Sequence, residues 1–193
     1  MQANEANALT LDALVHNYYP AVVRLALSIL STDGSPAALD EAEDAAQETF
    51  IAAANALSGF HGASSPKTWL FAIAINACRS RLRRRKAQRA LAQTLAHLQR
   101  LFGQGAPVDG AQSAEQAVEV AERDRVLWAA VDSLDEKHRL VVLLRYVHEL
   151  PVAEIAQALE ISEGTVYSRL HYARQFLARR LRRSLVFQEV GTR

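Results

Sequence analysis

The stretch that decides the fold is VAEIAQALEISEGTVYSRLHYARQFL, Val152–Leu177. Ile155, Ala156 and Leu159 fall on one face of a first short helix. The turn Glu160–Ile161–Ser162 then carries a single apolar anchor, Ile161. Ser162 suits the cap of a second helix, and Glu163 sits favourably at that helix's positive end. Val166, Leu170, Ala173 and Leu177 recur at helical spacing and form its buried stripe. The opposite face offers Thr165, Ser168, His171, Tyr172 and Gln175, flanked by Arg169 and Arg174. Polar side chains opposite a buried stripe suit base edges, and arginines suit phosphates, which is the layout of a DNA-reading helix-turn-helix. A plain helical hairpin would carry the same stripe, so this pattern alone leaves both open.

Upstream, the same periodicity continues and β-type alternation is absent. Asp135 can cap a helix with Leu140, Val141, Leu144 and Val147 on one face. The helix before it starts near Ala114 and ends near Leu134. In the first half, Leu9–Tyr18 and Pro20–Leu30 are expected as two helices broken at Pro20. Ser31–Leu39 is expected as a loop, Asp40–Leu57 as a long helix and Ser58–Ser65 as a second loop. Ser65 then reads as an N-cap and Pro66 as the first helical residue, opening a helix that runs through Trp69, Ile73 and Ala77. Gln99–Ser113 holds three of the eight glycines and reads as a flexible linker. The last two helices are expected over Val152–Glu160 and Glu163–Arg183. The fold class is therefore all-α: two small helical domains joined by a flexible linker, the C-terminal one a helix-turn-helix. The expected boundaries are 1–89, a linker over 90–113, 114–183, and a tail over 184–193.

Charge sharpens this division. The chain has 193 residues, half of them hydrophobic, and a formal net charge of +1. That composition excludes a wholly disordered chain. The total conceals segments: residues 1–78 are net −6, and residues 79–89 hold seven bases and no acid. Residues 114–150 are net −3 and residues 151–193 net +3. Exposed charges are screened beyond roughly 8 Å at physiological salt, so a polyanion meets two basic patches rather than the average. The one cysteine, Cys78, excludes an internal disulfide and a cysteine-rich metal site. The N-terminus lacks the basic start and apolar core of a signal peptide. The most apolar run, Trp69–Cys78, is far short of the ~20 residues that span a bilayer. A cytoplasmic protein without membrane insertion is expected. His16, His61, His97, His138, His148 and His171 are scattered, none at metal-ligand spacing, and no phosphate loop or Ser/His/Asp grouping appears. The reading is not an enzyme, with no metal and no cofactor.

Three strings carry a family resemblance. DSLDEKHRLVVLLRYVHELPVAEIAQALEISEGTVYSRLHYARQFL (Asp132–Leu177) resembles the DNA-binding region 4 of extracytoplasmic-function (ECF, group IV) RNA polymerase sigma factors. EAEDAAQETF (Glu41–Phe50) resembles that family's polymerase-binding helix, and FHGASSPKTWLFAIAINACRSRLRRRK (Phe60–Lys86) its promoter-melting segment in region 2. The likeness covers about residues 9–86 and 115–183. It implies a bacterial sigma factor that binds core RNA polymerase and directs promoter-specific initiation, reading −35 and −10 elements and assisting melting. It further implies that Asp44, Gln47, Glu48, Phe50 and Ile51 meet the coiled coil of the largest polymerase subunit, and that region 4 meets the flap. Phe60 and Asn76 would form a pocket for a flipped −10 base, with Arg79, Arg83, Arg84 and Arg85 on nearby phosphates. Thr165, Tyr167, Ser168, Arg169, His171, Tyr172 and Arg174 would read the −35 duplex. An anti-sigma factor is an implied partner, and the free chain is expected to be a monomer.

Each residue also has a plainer reading: a solvated acidic face for Asp40–Leu57, a core anchor for Phe60, a backbone-satisfied polar residue for Asn76 and a solvated basic linker for the arginines. Trp69 is expected mainly in the core. Rival functions are a stand-alone helix-turn-helix regulator, which would need no melting segment, and a sigma-like decoy for an anti-sigma factor. Several positions depart from the family. Tyr167 and Tyr172 stand where basic residues are common, which suggests an atypical −35 element. Glu160 replaces a frequent glycine, and Pro151 replaces a capping serine. Leu91, Leu95, Leu98 and Leu101 suggest a helical start to the linker, expected to order only on polymerase or anti-sigma factor.

Overall fold

The computed structural model describes residues 9–30, 36–101 and 120–190. The first half is three helices, α1 (Leu11–Leu30), α2 (Pro36–Ala56) and α3 (Pro66–Leu101), with a short 3₁₀ turn at Leu57–Gly59. The second half holds α4 (Val120–Asp132), α5 (Glu136–Val142), α6 (Val152–Leu159) and α7 (Glu163–Val190). No strand occurs among the described residues.

The first core is built by a narrow helix between two broad ones. Leu14, Val22, Leu25 and Ile29 of α1 and Leu70, Phe71 and Ile75 of α3 are fully buried. Between them α2 presents Ala42, Ala45, Ala46 and Ala53, whose small side chains let the helices approach closely. Truncating one of these leucines to alanine should cost about 2–5 kcal/mol. In the second half, Leu140, Val141 and Leu144 meet Ile155 of α6 and Val166, Leu170 and Ala173 of α7.

The caps act as expected. The Ser65 hydroxyl accepts from the Thr68 N–H at 3.1 Å at the start of α3. Asp135 accepts from the His138 N–H at 3.1 Å, and Ser162 from the Thr165 N–H at 3.2 Å. Pro151 gives α6 no side-chain cap.

Other elements differ from expectation. Helix α1 runs unbroken through Pro20. Pro20 and His16 are both exposed, so the His16 carbonyl that loses its partner faces water. The buried stripe continues on both sides of the proline, from Leu14 to Val22 and Leu25, and holds the axis. Helix α2 starts at Pro36, earlier than Asp40, because proline suits the first helical position and two alanines come directly after it. Helix α3 reaches Leu101, so the domain boundary expected at residues 89/90 falls inside it, and the Leu91–Leu101 stretch is helical. Residues 102–119, the rest of the expected linker, lie outside the described residues. Helix α7 extends to Val190, into the expected tail.

After α5 the helix widens into a π-type turn, Leu143–Val147, where the His148 N–H reaches the Leu143 carbonyl at 3.1 Å. The extra residue rotates the next side chains about the helix axis by about a quarter turn. Val147, expected on the buried face, is 45% exposed, and His148 turns towards the first half.

The two halves pack on each other. The Arg139 guanidinium donates to the Ile29 and Ser28 carbonyls at 2.7 and 2.8 Å, satisfying the C-terminal end of α1, which has no basic residue in its own last turn. Arg79 pairs with Glu136 at 2.8 Å. The Thr68 hydroxyl donates to Glu154. His148 meets Phe71 edge-on, with ring centroids 5.6 Å apart.

Candidate functional site

Three surfaces collect the residues singled out from the sequence. On α2, Asp44, Gln47, Glu48 and Ile51 are exposed and share one face, and Ile51 is 65% exposed. Phe50, expected on this surface, is a correction. It is 7% exposed and stacks on Tyr19 at 5.9 Å, so it supports α2 from within. Its spacing from Ala42, Ala46 and Ala53 already marks the buried stripe. Arg81 lies across the acidic face, 2.7 Å from Glu48 and 3.8 Å from Asp44.

The second surface runs along α3. Phe60 is half-buried and leans on Trp69, ring centroids 5.0 Å apart. Gly62, at φ 73°, allows the loop to turn back between them and the helix. Trp69, Ile73 and Asn76 are one helical stripe, and Asn76 is exposed about two turns, roughly 10 Å, along from Trp69. Phe60 and Asn76 therefore stand at two ends of one strip, with Trp69 beside Phe60, partly buried and packed on the core.

The arginine run is divided between solvent and intramolecular partners. Arg83 and Arg84 are exposed. Arg85, expected at phosphates, turns inwards: it pairs with Glu41 and donates to the Leu30 carbonyl at 3.3 Å. Arg79 is held by Glu136 in this packed arrangement. A helix carrying seven bases in eleven residues alternates its faces, so some bases must meet α2.

The third surface is α7. Tyr167, Ser168, His171, Tyr172 and Arg174 are exposed, and Thr165 and Arg169 are half-buried. Val166, Leu170 and Ala173 are buried beneath them, so the two faces separate as the sequence requires. His171 and Gln175 bond one turn apart at 2.9 Å. Glu160 closes α6 at φ 54°, ψ 45°. Glutamate thus takes the left-handed conformation that glycine adopts more readily.

A fourth surface has no counterpart in the sequence reading. Leu127, Trp128, Tyr146, Val147 and Leu177 line an apolar groove of about 320 Å³ between α4, the π-type turn and α7. The π-type turn brings Val147, expected on the buried face, outwards beside Tyr146, and no local sequence signal announces it. Among the described residues, no group of three or more His, Cys, Asp or Glu could hold a metal ion, and no helix is long and apolar enough to cross a membrane.

Two helical units in this order, the second a helix-turn-helix, are the layout of the sigma-70 class. Sigma-70 region 2 matches residues 14–88, and Sigma-70 region 4 matches residues 124–177. The ECF RNA polymerase sigma factor SigW of Bacillus subtilis is 34% identical over 142 residues, 74% of this chain and 76% of its own length. The ECF RNA polymerase sigma-E factor of Escherichia coli K12 is 30% identical over 132 residues, 68% of this chain and 69% of its own. The fold is similar to RpoE of Bartonella quintana, solved with the anti-sigma factor NepR, at TM-score 0.59 and 23% identity, covering 87% of this chain and 94% of that one. It is also similar to CnrH, solved with the cytosolic domain of CnrY, at TM-score 0.60 and 23% identity, covering 91% and 90%. The chain belongs to the extracytoplasmic-function RNA polymerase sigma factors. It is a sigma factor that directs transcription initiation.

Proposed function

We propose that the four surfaces divide the work of initiation among them. The α2 face of Asp44, Gln47, Glu48 and Ile51 docks on the coiled coil of the largest polymerase subunit. Its acids suit a basic partner, and exposed Ile51 gives the contact an apolar centre. The Phe60–Asn76 strip takes an unpaired −10 base: an aromatic ring offers stacking, worth roughly 1–3 kcal/mol per base, and an amide can donate and accept at a base edge. Arg83 and Arg84 hold adjacent phosphates. The exposed face of α7 reads the −35 duplex. The apolar groove beside α4 takes a helical, apolar partner such as the polymerase flap.

The observation that carries this reading is the separation of an exposed polar face from a buried stripe on both α2 and α7, in the order the family uses. The chain acts in the cytoplasm, as a non-catalytic subunit, and is held by an anti-sigma factor. The co-structures of its two fold relatives support that last partner. Ile51→Arg tests the docking surface, because the site is already solvated and the fold should persist. Co-migration with core polymerase on gel filtration should fall at least tenfold in affinity. Undiminished binding of Ile51→Arg would remove α2 from the interface.

A further inference from the structure

Tyr172 lies in the exposed row of α7, but its ring is not free. The His138 imidazole of α5 stacks on it, ring centroids 4.2 Å apart and planes 25° from parallel. Phe176, one turn further along α7, lies nearly parallel at 6.5 Å. His138 is itself fixed. Its side chain is buried, and its Nδ1–H donates to the Asp135 carboxylate, whose same oxygen accepts the His138 N–H at 3.1 Å. Asp135 is the N-cap of α5, so the ring is tied to the start of a helix. Tyr172 nonetheless keeps 47% of its surface exposed.

We propose that Asp135 and His138 form a mount that presents Tyr172 edge-on to the −35 duplex, so that its hydroxyl donates a hydrogen bond to a backbone phosphate while the ring face is withheld from the bases. This rests on α7 being the −35 reader. A ring face already covered by imidazole cannot stack on a thymine methyl. The 47% of Tyr172 that stays exposed leaves room for its hydroxyl to reach a phosphate. Tyrosine hydroxyls are regular phosphate donors, and phosphate contacts fix register without reading sequence. His138 is then a positioning residue: it touches no DNA and acts through Tyr172. The position also becomes insensitive to salt, because a neutral hydroxyl releases no counterion.

The test uses the full chain with core polymerase. Promoters are selected from a random library with the wild-type holoenzyme, and each −35 base is then varied in turn. Tyr172→Phe removes only the hydroxyl and should weaken promoter binding about fivefold on every −35 variant, with an unchanged salt slope. His138→Ala should cause the same loss, and none further in the Tyr172→Phe background. His138→Phe keeps a flat ring against Tyr172 and should restore most of the binding. Tyr172→Arg should steepen the salt slope by about one. A template whose duplex ends downstream of the −35 element, and so lacks its phosphates, should be indifferent to all of these, which a merely structural defect would not allow. Wild-type binding by Tyr172→Phe, losses that multiply in the double variant, or a loss confined to one base position would each overturn the proposal. If the wild-type holoenzyme shows no −35 dependence at all, the reading of α7 fails, and the mount with it.

Discussion

Glu160 occupies the left-handed region at the end of α6 (φ 54°, ψ 45°), where an L-residue with a Cβ costs roughly 1–2 kcal/mol. The chain accepts that cost because the Glu160 and Ile161 N–H groups then close α6 on the Gln157 and Ala156 carbonyls at 3.2 and 3.0 Å. Glu160→Gly should therefore stabilise the protein by about 1 kcal/mol, read as a higher urea midpoint at unchanged slope. Cys78 shows a different balance. Burial first of all, against the pull of Arg81, pushes its thiol up to about 12, so it packs as a small apolar residue. At this scale the sequence is informative wherever a side chain bonds its own backbone, as Ser65, Asp135 and Ser162 do. It misleads where a residue's partner lies far along the chain. Phe50 is the exception: its buried stripe is readable, and the polar string around it draws it to the surface instead.

The helices show the same division between local and distant causes. Amphipathic spacing is enough to place α2, α6 and α7 within a few residues of their observed starts. Pro20 is not enough to break α1, because core contacts on both sides outweigh one lost hydrogen bond. The π-type turn after α5 has no local signature, and it turns Val147 outwards and His148 inwards. The arginine run illustrates what charge counting leaves out. Arg81 and Arg85 serve α2, while Arg83 and Arg84 face solvent. Replacing Arg83 and Arg84 by alanine should reduce the salt slope of holoenzyme–promoter binding by about two. Arg81→Ala should leave that slope alone and cost about 1 kcal/mol of stability, since the Arg81 side chain is largely buried while the carboxylates it pairs with stay about half-exposed. Filter-binding titrations across salt concentrations separate the two outcomes.

In the whole molecule, α5, the π-type turn and α6 rest on α1 and α3. The −35 and −10 elements lie roughly 25 base pairs apart, on the order of 85 Å at 3.4 Å per step. Helix α3, the longest, spans only about 54 Å, so reading both elements requires the halves to part. His148 sits in the seam. The Ser28 hydroxyl donates to the Leu25 carbonyl at 2.8 Å, so the imidazole Nε2–H is the donor to Ser28 at 3.1 Å. Burial, then Lys67 of α3 and Arg24 of α1, pull its pKa down to about 4. Parting the halves returns it towards its ordinary 6.5. A depressed histidine stabilises the packed form above about pH 6.5 and loses that contribution as pH falls towards 4. By pH 5.5 the open form should gain about tenfold. Fluorescence energy transfer between labels on α2 and α7 should decline over this window in the wild type and stay flat in His148→Gln. The charge pattern fits this arrangement: Arg79, one of the seven bases of the run, is held by Glu136 in the packed chain and is released when the halves part.

The central claim is that one chain carries both promoter-reading surfaces and needs polymerase to use them. Run-off transcription with purified core polymerase tests it most directly, on a selected template and on the same template with either element scrambled. A defined transcript that requires this chain and falls at least tenfold when either element is scrambled is the predicted result. Transcription that is unchanged by adding the chain, or that is indifferent to both elements, would contradict it.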